Sequence, residues 1–222
     1  MKKIIIKKFA NTKKIFSYCI KILNIELNDN KNIIISGGKT YLEFYKALTK
    51  NSIYSKINFF LSDERLTKKK ELINIFNIKK IFLKNSNKKT PNFFYDILDK
   101  DIRNKNRLLN NIKNEFSNKS NKIRLAFLGV GEDGHIASVF SNNNTIYAVK
   151  EPFIVSKNSY EKFYRLSFTF NYLKKIDQIV FVIHGKKKDY LIDNVKKKNY
   201  LRNNVFLDFL QKTKSKVHIL YA

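Results

Sequence analysis

The segment Leu128-Gly129-Val130-Gly131-Glu132-Asp133-Gly134-His135-Ile136-Ala137-Ser138 carries the strongest chemical signal in the chain. Three glycines within six residues follow an apolar run, and His135 then stands where a short helix is expected to begin. A helix N-terminus disfavours the imidazolium, so the expectation is a neutral His135 able to accept a proton. Asp133, two residues earlier, is placed to orient the ring and to stabilise its protonated form. The chemistry implied is general-base catalysis, with His135 and Asp133 as the catalytic pair.

Three further places offer charge to an anion. Ser36-Gly37-Gly38-Lys39-Thr40 follows the apolar run Ile33-Ile34-Ile35 and precedes a helical stretch. Successive N–H groups in a glycine turn at a helix start make an anion site, and Lys39 adds charge. The spacing is not that of a Walker A loop, and an ordinary strand-to-helix turn fits the segment equally well. Asp63-Glu64-Arg65 follows Ile57–Ser62 and puts acid and base together at a strand end. Arg65 can fork onto a phosphate or carboxylate, although taken alone the triplet is better explained as a solvated loop or an internal ion pair. Later, Arg165 opens an apolar run, and His184-Gly185-Lys186-Lys187-Lys188 closes another. His184 reads as structural.

These residues need elements to hold them. Apolar runs of strand length occur at Asn32–Ser36, Ile57–Ser62, Ile123–Gly129, Phe153–Ser156, Arg165–Phe170, Gln178–His184 and Val217–Tyr221. Several are continuously apolar, as strands buried on both faces are. Helical spacing is found in Phe9–Leu27, Tyr41–Thr49, Phe93–Phe116, Lys187–Val195 and Val205–Leu210. The polar stretches 84–92 and 117–122 read as loops. The alternation predicts an α/β fold, Rossmann-like: one doubly wound, mostly parallel sheet with helices on both faces, spanning 1–222 as a single domain. In such sheets ligands bind beyond the carboxyl ends of the strands, where the motifs above fall.

Composition narrows the function classes. The 222 residues are 43% hydrophobic with 19 Phe and 12 Tyr, which excludes a mainly disordered chain. A single cysteine, Cys19, excludes an intramolecular disulfide framework, and its place on an apolar helical stripe reads as core. His135, His184 and His218 show no metal-ligand spacing. The formal net charge of +27 first suggests nucleic acid. Only six of the 45 basic residues are Arg, however, and the lysines are scattered along a chain also rich in Asn and Ile. A lysine-rich solvated surface explains that pattern better than a nucleic-acid role. The N-terminal apolar run is too short for a signal peptide, and no run approaches the length of a spanning helix. A soluble cytoplasmic protein is expected, with no membrane partner and an undetermined oligomeric state.

In order, and over nearly the whole chain, these motifs resemble those of the 6-phosphogluconolactonase family, lactonases of the pentose phosphate pathway grouped with the glucosamine-6-phosphate isomerases (deaminases). Ser36-Gly37-Gly38 resembles S-G-G-S-T-P, Asp63-Glu64-Arg65 matches D-E-R, and Leu128–Ser138 resembles L-G-x-G-x-D-G-H-x-A-S. Arg165–Thr169 is similar to R-[IV]-[ST]-x-[ST], and Gly185–Lys188 to G-x-x-K. The chain departs from the pattern at Lys39 and Tyr41, at Arg124, and after Arg65, where Leu66-Thr67-Lys68 replaces V-P and a later S-N. The deaminases usually carry a Glu soon after the histidine; here the run is Ala137-Ser138-Val139-Phe140-Ser141, which sides with the lactonases. The resemblance implies His135 as the base, no cofactor or catalytic metal, and a sugar-phosphate substrate. It implies a substrate site shaped by Asp63, Arg65, Arg165 and Lys188, with Gly37, Gly38, Lys39 and Gly131 from the loops. The alternatives are a deaminase or isomerase acting on an amino-sugar phosphate, and an inactive basic homologue that binds nucleic acid.

Overall fold

The computed structural model describes residues 3–26, 31–85, 91–94, 102–119, 123–141, 145–157 and 161–222. Seven strands make one sheet: β1 (Ile4–Lys8), β2 (Asn32–Ile35), β3 (Asn58–Leu61), β5 (Asn92–Phe93), β6 (Leu125–Gly129), β9 (Gln178–Ile183) and β10 (Lys216–Tyr221). Their order is β1-β10-β9-β6-β2-β3-β5, and every pairing is parallel. A second, antiparallel sheet joins β4 (Asp63–Leu66), β8 (Tyr164–Phe168) and β7 (Phe153–Ser156) in the order β4-β8-β7.

The side-chain alternation of the central strands explains the layers. Ile33, Ile35, Phe127, Val180 and Val182 face one side, with Ile15, Phe16 and Cys19 of helix α1 (Thr12–Glu26), Phe44 and Tyr45 of α2 (Lys39–Leu48), and Ile78 and Phe82 of α3 (Asn74–Asn85). Ile34, Ala126, Leu128, Ile179 and Phe181 face the other, against α4 (Lys105–Lys119), α7 (Asp189–Lys196) and α8 (Val205–Lys212). Two short helices, α5 (Thr145–Ala148) and α6 (Phe170–Leu173), pack on each other through Tyr147 and Phe170. A strand with neither face in water must be apolar at every position, which is why β2 and β9 read as unbroken runs.

Chain order reverses between β2 and β6. From β2 the sheet grows one way through β3, and from β6 the other way through β9. A crevice opens at such a switch point. Here it lies between the ends of β2 and β6, where the Gly129 N–H donates to Ser36 Oγ at 3.0 Å.

Several expectations need correction. Asp63-Glu64-Arg65 is neither a loop nor solvated: it is strand β4, with Asp63 and Glu64 buried. Helix α3 was not foreseen, although Ile75, Ile78 and Phe82 stand at helical spacing on its buried face. Strand β1 was also missed. Within the expected helix 93–116, Phe93 ends strand β5 and the helix covers 105–119; residues 95–101 lie outside the described residues. Of the expected loops, residues 84–85 and 117–119 are helical and Asn92 is in a strand, while 86–90 and 120–122 lie outside the described residues. β8 ends at Phe168, where Thr169 caps α6 by accepting from the Tyr172 N–H. No helix begins at His135. Val130 bridges Ile136, and Ile136 bridges Val139, in a tight turn that places Ala137 at φ 51°. A helix dipole therefore does not set the protonation of His135.

Candidate active site

A half-open cleft of about 130 Å³ sits at this switch point, where a small polar ligand would enter from solvent. Gly38, Asp63, Arg65, Gly131, His135 and Arg165 line it, together with Ser36, Thr40, Tyr41, Asn74 and Ala137. Six of the ten residues foreseen for the site thus meet in one place. Asp133 reaches it through the His135 ring.

His135 Nδ1 lies 2.6 Å from Asp133 Oδ1, and the His135 N–H donates to the same oxygen at 3.2 Å. The hydrogen bond from His135 is the main reason the Asp133 carboxyl is held down at about 2, against its partial burial. An ionised carboxylate can only accept, so Nδ1 carries a proton, and in the neutral ring this tautomer leaves the lone pair on Nε2. The side chain of His135 is 31% exposed and its ring packs on Phe140 at 4.7 Å between centroids. Gly131 makes the turn possible: a Cβ there would stand 2.1 Å from His135 Nδ1.

Beside this pair lies a buried ionic cluster. Arg165 and Asp63 sit diagonally on β8 and β4, with Arg165 Nη1 donating to Asp63 Oδ2 at 3.1 Å. Asp63 also accepts from Ser138 Oγ at 2.7 Å and from Ser62 Oγ at 3.0 Å. The other edge of the Arg165 guanidinium, Nε and Nη2, is forked by the Glu161 carboxylate. Both acids favour its charged form, while burial opposes them. Arg65 donates through Nη1 to the Leu72 carbonyl, and its buried Nε has no partner among the described residues.

Glu64 faces away from the cleft and accepts from the N–H groups of Arg65, Asn74 and Ile75 at 2.7–2.8 Å. It thereby caps α3 from the preceding strand. Burial pushes its carboxyl up to about 7, against those three hydrogen bonds. The cap places Asn74, whose Nδ2 donates to the Asp63 carbonyl and whose side chain packs on Gly37; a Cβ on Gly37 would stand 2.4 Å from it. Gly37 therefore lies behind the cleft wall. Lys39 opens α2 as an exposed residue outside the cleft lining. Gly38, the residue before it, has no capping side chain on α2. Lys188 is half-buried near the His135 loop but outside the cleft lining; burial lowers its pKa, and Glu132 and Asp133 oppose that shift.

Sequence reasoning missed Asn74, Ser138 and Glu161 as members of the site. Ser138 lay inside the quoted motif, but nothing local showed its bond to Asp63, 75 residues away. Among the described residues no three His, Cys, Asp or Glu side chains come together as a metal site, and no helix is long and apolar enough to cross a membrane.

Comparison with known proteins adds lineage to this geometry. Residues 12–206 match the family model for glucosamine-6-phosphate isomerases/6-phosphogluconolactonase. A 6-phosphogluconolactonase of Thermotoga maritima is 27% identical over 170 residues, 74% of each chain. A probable 6-phosphogluconolactonase of Dictyostelium discoideum is 28% identical over 191 residues, 80% of each. Among solved structures, a 6-phosphogluconolactonase of Thermotoga maritima superposes with a TM-score of 0.81 at 21% identity, covering 99% of this chain and 100% of that one. One from Shewanella baltica gives 0.83 at 16% identity, covering 99% and 98%. The fold is shared across both.

Proposed function

The chain belongs to the glucosamine-6-phosphate isomerase/6-phosphogluconolactonase family, and on that premise we propose that it hydrolyses 6-phospho-D-glucono-1,5-lactone to 6-phosphogluconate. The observation that carries the reading is the His135–Asp133 pair, 2.6 Å apart and opening onto a cleft flanked by two arginines. A lactone is an activated ester and needs only a water, a base and help for the oxyanion. His135 Nε2 takes a proton from water as its oxygen bonds to the lactone carbonyl carbon. Asp133 stabilises the imidazolium so formed. The tetrahedral intermediate then expels the ring oxygen, which takes the proton back from Nε2, leaving a carboxylic acid that ionises. No nucleophilic side chain is required.

Anion binding falls to the other side of the cleft. The uncapped first turn of α2, reached through Gly38 and Thr40, offers backbone N–H groups to the phosphate. Arg65 and Arg165 add fixed charge, and Lys188 and Lys39 add longer-range charge from the rim. Asp63 orients Arg165. The isomerase branch would require a second carboxylate free to move a proton. Asp63 is instead committed to Arg165, Ser138 and Ser62, which favours the lactonase.

The test is hydrolysis of freshly generated lactone, corrected for its spontaneous opening, by the wild type and by His135→Ala. A wild-type rate well above background that falls by about 10²-fold or more in the variant supports the assignment. A wild type at background, with ammonia released from glucosamine 6-phosphate, would transfer the reading to the isomerase branch.

A further inference from the structure

The loop that carries the base is held from outside the cleft. Three consecutive carbonyls, those of Glu132, Asp133 and Gly134, each accept a hydrogen bond from α7 or from the start of α8. Tyr190 Oη donates to the Glu132 carbonyl at 3.0 Å. Asn204 Nδ2 donates to the Asp133 carbonyl and to Tyr190 Oη, both at 3.3 Å. The Phe206 N–H donates to the Gly134 carbonyl at 2.9 Å. Asn204 Oδ1 meanwhile caps α8 by accepting the Leu207 N–H at 3.1 Å. Gly134 sits at φ +83°, where a Cβ would lie 2.2 Å from the Asn204 amide. The contact is thus a close fit of loop against amide.

We propose that Asn204 and Tyr190 are positioning residues for the His135–Asp133 pair, acting through the backbone of residues 132–134. Neither side chain lines the cleft or touches His135. Their effect is to fix the peptide that carries the Asp133 carboxylate, so that one oxygen meets both Nδ1 and the His135 N–H. A loop of this length with three unbound carbonyls would sample several arrangements, and the 2.6 Å contact would be held only part of the time. Asn204 bonds to both the loop and the helix end, so the first turn of α8 and the catalytic turn form one unit.

This proposal rests on reading His135 as the base, and its test separates the two. Asn204→Ser keeps a capping oxygen for α8 but is too short to reach the loop. Tyr190→Phe removes one hydroxyl from a side chain that is 38% exposed. Expected are a fall in kcat of about tenfold for Asn204→Ser and about threefold for Tyr190→Phe, with KM unchanged. The double variant should cost no more than Asn204→Ser alone, since both act through one chain of bonds. The imidazole NMR titration of His135, identified by its absence in His135→Ala, should move to lower pH by about half a unit in both variants. The signals of His184 and His218 should stay in place. That shift supports the clamp even where no lactone is hydrolysed, in which case only the activity assignment fails. An active wild type with variants matching it in kcat and in the His135 titration overturns the clamp. So does a loss of kcat that follows only a fall in Tm with the titration unmoved.

Discussion

At the scale of single residues, charge balance within the cleft decides how a phosphate is received. Arg165 carries one positive charge and is bonded to two carboxylates, Asp63 and Glu161, both with largely buried side chains. That cluster is net negative and would oppose a dianion. Asp63 is fixed by two serines and a strand, whereas Glu161 sits on the connection between β7 and β8, four residues before Arg165. Glu161 is the carboxylate that can leave. Glu161→Gln should therefore tighten binding of 6-phosphogluconate or inorganic phosphate about fivefold, near 1 kcal/mol. Isothermal titration measures it directly. Weaker binding in that variant would mean that Glu161 serves to orient the arginine instead. None of this was legible in the sequence, where Glu161 stood among lysines and aromatics with nothing to mark its partner. His135, Asp133 and Gly131 were legible because their relationship is local. A glycine two residues from an acid and four from a histidine is a turn whose geometry the sequence itself displays.

Elements were legible where burial is uniform and obscure where partners are remote. β2, β6, β9 and β10 are apolar because both faces are covered, so their run lengths mark them. β4 was missed because its partners are remote. Asp63 and Glu64 are buried by bonds to Arg165, Ser138, Asn74 and Ile75, and no window of β4 contains any of them. Charged residues inside an edge sheet look like a loop until those partners are known. His218 of β10 presents the same lesson in the large sheet. It is 4% exposed; among the described residues its Nδ1 has no partner and only the Gln178 amide approaches Nε2, at 3.5 Å. Burial, then Lys216, Lys7 and Lys3, push its pKa down to about 4. Tyr18 of α1 is the ring on that face, 6.4 Å away. The unfolded chain binds a proton there near 6.5, so it holds more protons than the fold between about pH 4 and 6.5. The stability contributed is present above pH 6.5 and is lost as pH falls toward 4. Urea midpoints for the wild type should decline over that window. His218→Leu should flatten the decline, and an unchanged slope in that variant would place the acid sensitivity elsewhere.

The whole molecule carries a charge that neither the fold nor the pair at His135 requires. Eighteen acidic residues face 45 basic ones, so most lysines cannot be neutralised within the chain. Five lysines, Lys150, Lys174, Lys175, Lys212 and Lys214, surround one surface groove; Lys212 is paired with Asp208 at 2.9 Å, and burial and then the charge of Lys212 lower the pKa of Lys174. Self-repulsion of this kind destabilises the compact state, and the same field draws anionic ligands toward the cleft. Salt acts on both. At an ionic strength of about 0.15 M the screening length is near 8 Å, shorter than the distance over which scattered surface charges add. Raising sodium chloride should therefore increase Tm, because repulsion is screened. It should also raise KM for the lactone by several-fold, because attraction is screened too. The His135–Asp133 contact at 2.6 Å lies well inside the screening length, so kcat should hold nearly constant. Steady-state kinetics and thermal melts over one salt series measure all three. A KM flat in salt would reduce the charge of +27 to a compositional trait with no part in substrate capture. A falling kcat would show instead that the surface field reaches the proton transfer itself.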